Sequence, residues 1–213
     1  MPILLELFSG TGSVGKSFKK LGWDVVSLDL SPEFQPTICT DLMAWDYRSC
    51  PGTFDCIHAS PPCTHYSRAR TVAKTPRDLE GSDALVQRTL DIIAHFNPRV
   101  WIIENPYTGM MKDRPVMQEL EMHRHMKVIT YCKYGMPYKK ATSIWTNLAW
   151  TPRPACCKAS PCGHLEDGAH PKTAQRAQGK RGGVRRPGDK FKLHELYALP
   201  EQLCDELASA VNL

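Results

Sequence analysis

The chain has 213 residues, and its hydrophobic (42%), charged (23%) and aromatic (8%) fractions are those of an ordinary globular protein, enough for one well-buried α/β domain with little left over. No apolar run approaches the ~20 residues that cross a bilayer. Met1 to Phe8 is too short and lacks the basic start of a secretory leader, so no membrane partner and a cytoplasmic location are expected. A formal net charge of +5 is modest, and nine cysteines in such a chain point to reduced thiols, some catalytic or metal-bound, rather than to disulfides.

Ile3-Leu4-Leu5-Glu6-Leu7-Phe8 reads as a buried strand that runs into the glycine turn Ser9-Gly10-Thr11-Gly12-Ser13-Val14-Gly15; Val14, Phe18 and Leu21 then mark a helix. Strand, glycine turn and helix is how doubly wound sheets cradle a phosphate or cofactor, although tight turns also use glycine for steric reasons alone. The turn lacks the Lys-Ser/Thr ending of a nucleotide phosphate loop, which disfavours ATP. Trp23 to Asp29 is a second strand. Its closing carboxylate falls about twenty residues after the turn, where such folds hold ribose hydroxyls. Ile38 to Leu42 reads as a short third strand with Asp41 near its end.

Phe54 to Ala59 predicts a fourth strand, which stops at Ser60-Pro61-Pro62-Cys63. Proline fixes its own φ and biases the residue before it toward extended geometry, so the chain leaves the strand in a predetermined direction. That is a way to aim a thiol; the competing reading is a small buried cysteine after a loop. His65 to Ser82 carries Arg68, Arg70, Lys74 and Arg77 and reads as an exposed basic loop. Leu85, Val86, Leu90, Ile93 and Phe96 recur at helical spacing, and Pro98 ends that helix. Val100 to Ile103 is a buried strand running into Glu104-Asn105-Pro106. Met117, Leu120 and Met126 suggest another helix, and Val128 to Cys132 and Thr142 to Thr146 read as strands flanking Tyr134-Gly135-Met136-Pro137-Tyr138-Lys139-Lys140.

At Thr151 the composition shifts. From there to Lys192 apolar periodicity disappears, and Cys156, Cys157, Cys162, His164 and His170 lie close together, followed by Lys172, Arg176, Lys180, Arg181, Arg185, Arg186, Lys190 and Lys192 with interspersed glycines. A segment that cannot bury enough apolar surface needs a staple, and thiolates and imidazoles at this spacing suit a structural zinc. The expected ligands are Cys157, Cys162 and His170, with Cys156 or His164 as the fourth; the competing reading is a flexible linker with incidental cysteines. Leu203, Leu207 and Val211 predict a closing helix that starts at Pro200.

Four blocks, each at the end of a predicted strand or between two of them, occur in an order that resembles the cytosine-5 DNA methyltransferases. Leu7-Phe8-Ser9-Gly10-Thr11-Gly12 is similar to that family's cofactor block, Pro61-Pro62-Cys63 to its nucleophile block, Glu104-Asn105 to its Glu-Asn-Val block, and Tyr134-Gly135-Met136-Pro137 to the start of its Gln-x-Arg-x-Arg block. The resemblance implies an α/β fold with a doubly wound, mostly parallel sheet, Rossmann-like as in class I methyltransferases; the composition after Thr151 adds to it a small Cys/His-rich, basic C-terminal insertion. Residues 1–150 would form the catalytic domain, 151–192 a zinc-stapled nucleic-acid-binding insertion, and 193–213 a helix packed on that domain. It further implies S-adenosylmethionine as cofactor, bound by Phe8, Gly10, Thr11, Gly12, Asp29, Asp41 and Pro61, with Asp29 on the ribose and Asp41 on the adenine amine. Cys63 would be the covalent nucleophile, Glu104 the carboxyl group that holds the cytosine ring, and Lys140 a third member of the catalytic set.

The implied partner is double-stranded DNA with a flipped cytosine, and the implied protein a monomer of the minimal kind that phages and prophages carry in a bacterial or infected host. Three departures stand out, the first being that the family's closing block is not found and the helix from Pro200 to Leu213 is left to occupy its place. Tyr138-Lys139-Lys140-Ala141-Thr142 replaces the arginine-bearing block, and lysine offers charge without arginine's planar fork. The large recognition domain is absent, so only Thr151 to Lys192 is left to replace it. The same chemistry on RNA or free nucleotides is the nearest alternative, and the basic segment favours a polymer. A non-catalytic nucleic-acid-binding module is a further one, against which the retention of Cys63 and Glu104 argues.

Overall fold

The computed structural model describes residues 1–68, 70, 73–119, 122–166, 168–174 and 196–211. Strands β1 (Ile3–Leu7), β2 (Asp24–Asp29), β3 (Ile38–Cys39), β4 (Cys56–Ala59), β5 (Val100–Pro106), β6 (Met126–Thr130) and β7 (Ala141–Thr146) form one sheet in the order β3-β2-β1-β4-β5-β7-β6. From β3 to β5 every pair is parallel, while β7 lies antiparallel to both β5 and β6. The strand order reverses between β1 and β4, and in such sheets ligands bind beyond the carboxyl ends of the strands at that reversal. Phe8 and Ser60, the residues that follow β1 and β4, both lie there.

Both faces of the sheet are covered, which explains why the strands read as nearly continuous apolar runs rather than alternating ones. Leu4, Cys56, Ile102 and Ile144 point to the face packed by α1 (Ser13–Lys20) and a C-terminal helix, Glu201–Val211. Leu5, Leu7, Ile57, Ile103 and Trp145 point to the opposite face, covered by α2 (Leu79–Phe96) and the four-residue α3 (Pro115–Gln118). The C-terminal helix, α4, buries Leu203, Leu207 and Val211 against the α1 side. Its link to α1 also includes Ser17 Oγ donating to Asp205 at 2.6 Å and Lys20 meeting Glu201 at 2.6 Å. An exposed pair of that kind contributes up to ~1 kcal/mol, whereas each buried aliphatic side chain contributes about 1.5–3 kcal/mol, so apolar packing holds α4 in place.

Several boundaries differ from the sequence expectation. The third strand ends at Cys39 because Asp41 Oδ1 accepts the Met43 amide at 2.9 Å, a local turn that competes with strand geometry. The loop after Cys63 stops earlier than expected, since Asp78 accepts the Gly81 amide at 2.8 Å and starts α2 at Leu79. Past Gln118 the expected helix does not continue: a 3₁₀ turn spans Met122–His125, and Met126 pairs with Trp145 as the first residue of β6. Leu120, which belonged to that expectation, lies outside the described residues, as do residues 175–195 with the basic cluster from Arg176 to Lys192. The strand expected to reach Cys132 ends at Thr130, and Tyr131–Tyr134 form a 3₁₀ turn instead.

Candidate active site

The turn between β1 and α1 is built on left-handed backbone: Phe8 has φ 56°, Gly10 φ 46° and Gly12 φ 67°. Phe8 is the outlier, since a bulky side chain rarely occupies that region and strain of this kind concentrates at ligand sites. The Gly10 amide donates to Asp29 Oδ2 and the Ser31 amide to Asp29 Oδ1, both at 2.8 Å, so one carboxylate ties the turn to the end of β2. A carboxylate has about four acceptor positions, which leaves capacity for a ligand's hydroxyls. On the other side of the turn the Gly15 amide donates to buried Glu6 at 3.1 Å; a Cβ at Gly15 would stand 2.5 Å from that carboxylate oxygen.

A cleft of about 300 Å³ opens over this turn. Gly10, Thr11 and Asp29 line it, with Leu30 and Phe34 beside them, and a Cβ added at Gly10 would meet nothing within 4 Å, so the backbone faces open space. The open backbone at Gly10 and Thr11 and the spare acceptor capacity of Asp29 fit the amino-acid and ribose parts of S-adenosylmethionine. Asp41 is not among the cleft's lining residues: it is exposed and engaged in its own turn, so among the described residues the apolar surfaces of Leu30 and Phe34 stand near Asp29 in its place. Gly12 is likewise outside the lining and serves as the N-cap of α1.

Pro61, Cys63, Glu104 and Lys140 line the same cleft. Two polar anchors fix the path around Cys63. Before it, buried Asn105 donates from Nδ2 to the Pro61 carbonyl at 2.8 Å. After it, the Tyr66 hydroxyl donates to Asp83 at 2.7 Å, and Arg114 grips the same carboxylate through Nε and a terminal nitrogen at 2.6–3.1 Å. Glu104 accepts from the Tyr131 hydroxyl at 3.3 Å. Lys140 Nζ lies 3.5 Å from that hydroxyl and 4.7 Å from the Tyr131 ring centre.

Burial pushes the Glu104 carboxyl above its ordinary range, opposed by the Lys140 ammonium and the Tyr131 hydroxyl. A carboxyl biased toward its protonated form is able to donate a hydrogen bond. Cys63 departs from the electropositive niche expected of a nucleophile: burial raises its pKa, the Lys140 charge lowers it, Glu104 raises it, and burial wins.

No family model matches the chain. It is 33% identical over 177 residues to a Frog virus 3 protein named "Probable DNA (cytosine-5)-methyltransferase", covering 76% of this chain and 78% of that one. This chain belongs to the DNA cytosine-5-methyltransferase family. A second relative, the type II methyltransferase M.AplI of Arthrospira platensis, is 26% identical over 155 residues, which is 65% of this chain and 43% of the relative. In fold the chain resembles the Schizosaccharomyces pombe Dnmt2 methyltransferase (TM-score 0.51, 17% identity, 73% of this chain and 53% of that one). It also resembles the Entamoeba histolytica methyltransferase EhMeth (TM-score 0.50, 15% identity, 74% and 57%). The chain spans a little over half the length of these solved structures.

Several cleft features of this methyltransferase were not singled out from the sequence. Glu6 and His58 are register partners on β1 and β4 and both line the cleft. Burial raises the Glu6 pKa to about 7 and lowers that of His58 to about 4, and neither His58 ring nitrogen has a hydrogen-bond partner among the described residues. A polar residue inside each apolar strand was the available signal. Tyr197 and Leu199, just before α4, line the cleft from the far end of the chain, and no local pattern announces them.

The cysteine cluster also differs from expectation. The ligand atoms of Cys132, Cys156, Cys162 and His170 all lie within 4.8 Å of one another. Cys157 is exposed and stands outside this group, as does His164. Cys156 is buried, whereas Cys157 opens a turn in which it exchanges backbone hydrogen bonds with Ser160 and is exposed.

Proposed function

We propose that this chain methylates carbon 5 of cytosine in DNA through transient covalent attachment of Cys63 to carbon 6, with S-adenosylmethionine as the methyl donor. The observation that carries this is the convergence, in one cleft, of an aimed thiol, a buried carboxyl group and an ammonium with a glycine turn clamped by a carboxylate. Gly10, Thr11 and Asp29 would hold S-adenosylmethionine, which would supply an electrophilic methyl group. Carbon 5 is too weak a nucleophile to take it unaided. The Cys63 thiolate adds to carbon 6, forming a carbon–sulfur bond, while protonated Glu104 donates to ring nitrogen 3 and draws the electron pair into the ring. Carbon 5 becomes nucleophilic. Attack of carbon 5 on the methyl group would break the methyl–sulfonium bond and release S-adenosylhomocysteine. Water then takes the carbon-5 proton, and the freed C–H electron pair re-forms the carbon 5–carbon 6 double bond. The carbon–sulfur bond breaks to release Cys63 as thiolate, and ring nitrogen 3 returns its proton to Glu104.

Lys140 takes a supporting part: its charge favours the thiolate of Cys63 and opposes full protonation of Glu104. Half-buried Cys63 is out of reach of a base stacked in a duplex, so the target cytosine must leave the helix to meet it. The similarity to the Frog virus 3 probable DNA (cytosine-5)-methyltransferase favours DNA over RNA as the substrate.

The test is capture of the adduct. Fluorine at carbon 5 cannot leave as a proton would, so wild-type protein with S-adenosylmethionine and duplex DNA containing 5-fluorocytosine is expected to form a stable covalent complex. Cys63→Ser should form none while binding the cofactor normally. Parallel arms with RNA and with dCTP separate the substrate classes, and full methyl transfer by Cys63→Ser would overturn the mechanism.

A further inference from the structure

Three cysteines and one histidine converge from two remote parts of the chain. Cys132 sits in the 3₁₀ turn that follows β6; Cys156, Cys162 and His170 come from the segment after Thr151. Their ligand atoms lie within 4.8 Å of one another, and Cys162 Sγ is 3.2 Å from His170 Nε2. Zinc–sulfur and zinc–nitrogen bonds of about 2.3 and 2.0 Å place tetrahedral ligand atoms roughly 3.5–3.8 Å apart, so a shift on the order of 1 Å closes these four around one ion.

The backbone around them is arranged to deliver the ligands. The Cys156 amide donates to Thr130 Oγ1 at 2.8 Å, which seats the start of the segment on the end of β6. Cys157 and Ser160 exchange backbone hydrogen bonds at 3.1 and 3.2 Å, and Glu166 and Ala169 pair across a turn in which Gly168 adopts φ 75°; the first turn precedes Cys162 and the second precedes His170. Lys133, the neighbour of Cys132, reaches Ser160 Oγ at 2.9 Å and the Pro161 carbonyl at 2.7 Å. Yet among the described residues from 151 to 174 Cys156 is the only buried one. Hydrogen bonds at an exposed surface exchange for bonds to water and contribute little net, too little to order some twenty residues without a core.

We infer that Cys132, Cys156, Cys162 and His170 bind one structural zinc ion, which fastens the segment after Thr151 to the catalytic sheet. Four protein ligands leave no open position, so the ion serves folding and not chemistry. Binding displaces the three thiol protons. The site also reaches the active site through one residue. Cys132 adjoins Tyr131, whose amide donates to the Lys140 carbonyl at 3.1 Å and whose hydroxyl donates to Glu104 at 3.3 Å. Holding the turn at Cys132 therefore holds the ring that positions Glu104 and Lys140.

Metal content, which does not depend on methyltransferase activity, decides the matter. Full-length protein purified without chelator is expected to contain about one zinc per chain by elemental analysis. Exchange for cobalt(II) should give the visible absorption of a tetrahedral site and a thiolate-to-cobalt charge-transfer band. Cys132→Ser should lower zinc affinity at least about tenfold, the loss seen when even a hydrogen-bond partner of a metal ligand is removed. Cys157→Ser should leave zinc content unchanged. Should Cys132→Ser fail to fold, alkylation of the wild-type protein serves instead: Cys132, Cys156 and Cys162 should become reactive only after a chelator is added, and Cys157 at once. Metal-free protein with native alkylation protection, a disulfide within the cluster, or wild-type zinc affinity in Cys132→Ser would each overturn the proposal.

Discussion

Asn105→Ala tests whether the Pro61-Pro62-Cys63 path is held by the end of β5. Asn105 is 1% exposed, and its Nδ2 donates to the Pro61 carbonyl at 2.8 Å. Removing the amide loses a buried hydrogen bond, about 1 kcal/mol net, and strands the carbonyl, about 1–3 kcal/mol more. Part of this is recovered, because Asn105 Oδ1 is buried with no partner among the described residues and disappears with the amide. The expected net loss is about 2 kcal/mol, which for a chain of this length lowers Tm by roughly 4–8 °C. Catalysis should suffer more than stability. A displacement on the order of 1 Å at the nucleophile costs about a hundredfold in rate. Asn105 is not among the residues lining the cleft, so cofactor affinity should stay at the wild-type value. Scanning calorimetry, methyl transfer to DNA and titration with S-adenosylmethionine read the three quantities separately. Asn105→Asp should be worse than alanine, since it sets an acceptor against an acceptor in a buried place. An alanine variant with wild-type Tm and kcat would refute the argument.

Two further predictions concern charge. Because Lys140 lowers the Cys63 pKa and Glu104 raises it, the pH midpoint for iodoacetamide alkylation of Cys63, followed by peptide mass spectrometry, should move up in Lys140→Gln and down in Glu104→Gln; unmoved midpoints in both would remove the electrostatic link. For Glu6 the folded-state pKa is raised from 4.5 to about 7, so the native state binds more protons across that window and stability falls as pH rises, by about 3 kcal/mol in all. For His58 the value is lowered from 6.5 to about 4, so the unfolded state binds more protons there and stability rises with pH by a similar amount. The two effects oppose each other over their shared interval. Glu6→Gln should uncover a rise in stability between pH 4 and 6.5, and His58→Gln a fall between pH 4.5 and 7, both measured by urea unfolding. Parallel pH profiles in the wild type and both variants would contradict the assigned burial.

The parts of this protein legible in the sequence are those written in contiguous residues. Apolar runs covered on both faces marked β1, β4 and β5, because side chains alternate along a strand and each face found a partner. Gly10 and Gly12 marked a turn because only that backbone tolerates positive φ cheaply, and Pro61-Pro62 marked a stiff exit because proline fixes φ. The resemblance to the family rested on these local blocks and held. What remained hidden depends on residues far apart in the chain. Asn105 reaches Pro61 across 44 positions, Tyr131 reaches Glu104 across 27, and Tyr197 closes a cleft that starts at Phe8. Cys132 read as the end of a strand until the segment after Thr151 folded back and brought Cys156, Cys162 and His170 to it. Whether Cys63 rests as thiol or thiolate was equally out of reach, since it is set by how deeply the chain buries the sulfur against how near it brings Lys140. Backbone restriction and side-chain periodicity are properties of neighbours in sequence; burial, desolvation and charge proximity are properties of neighbours in space, and only the folded chain decides those.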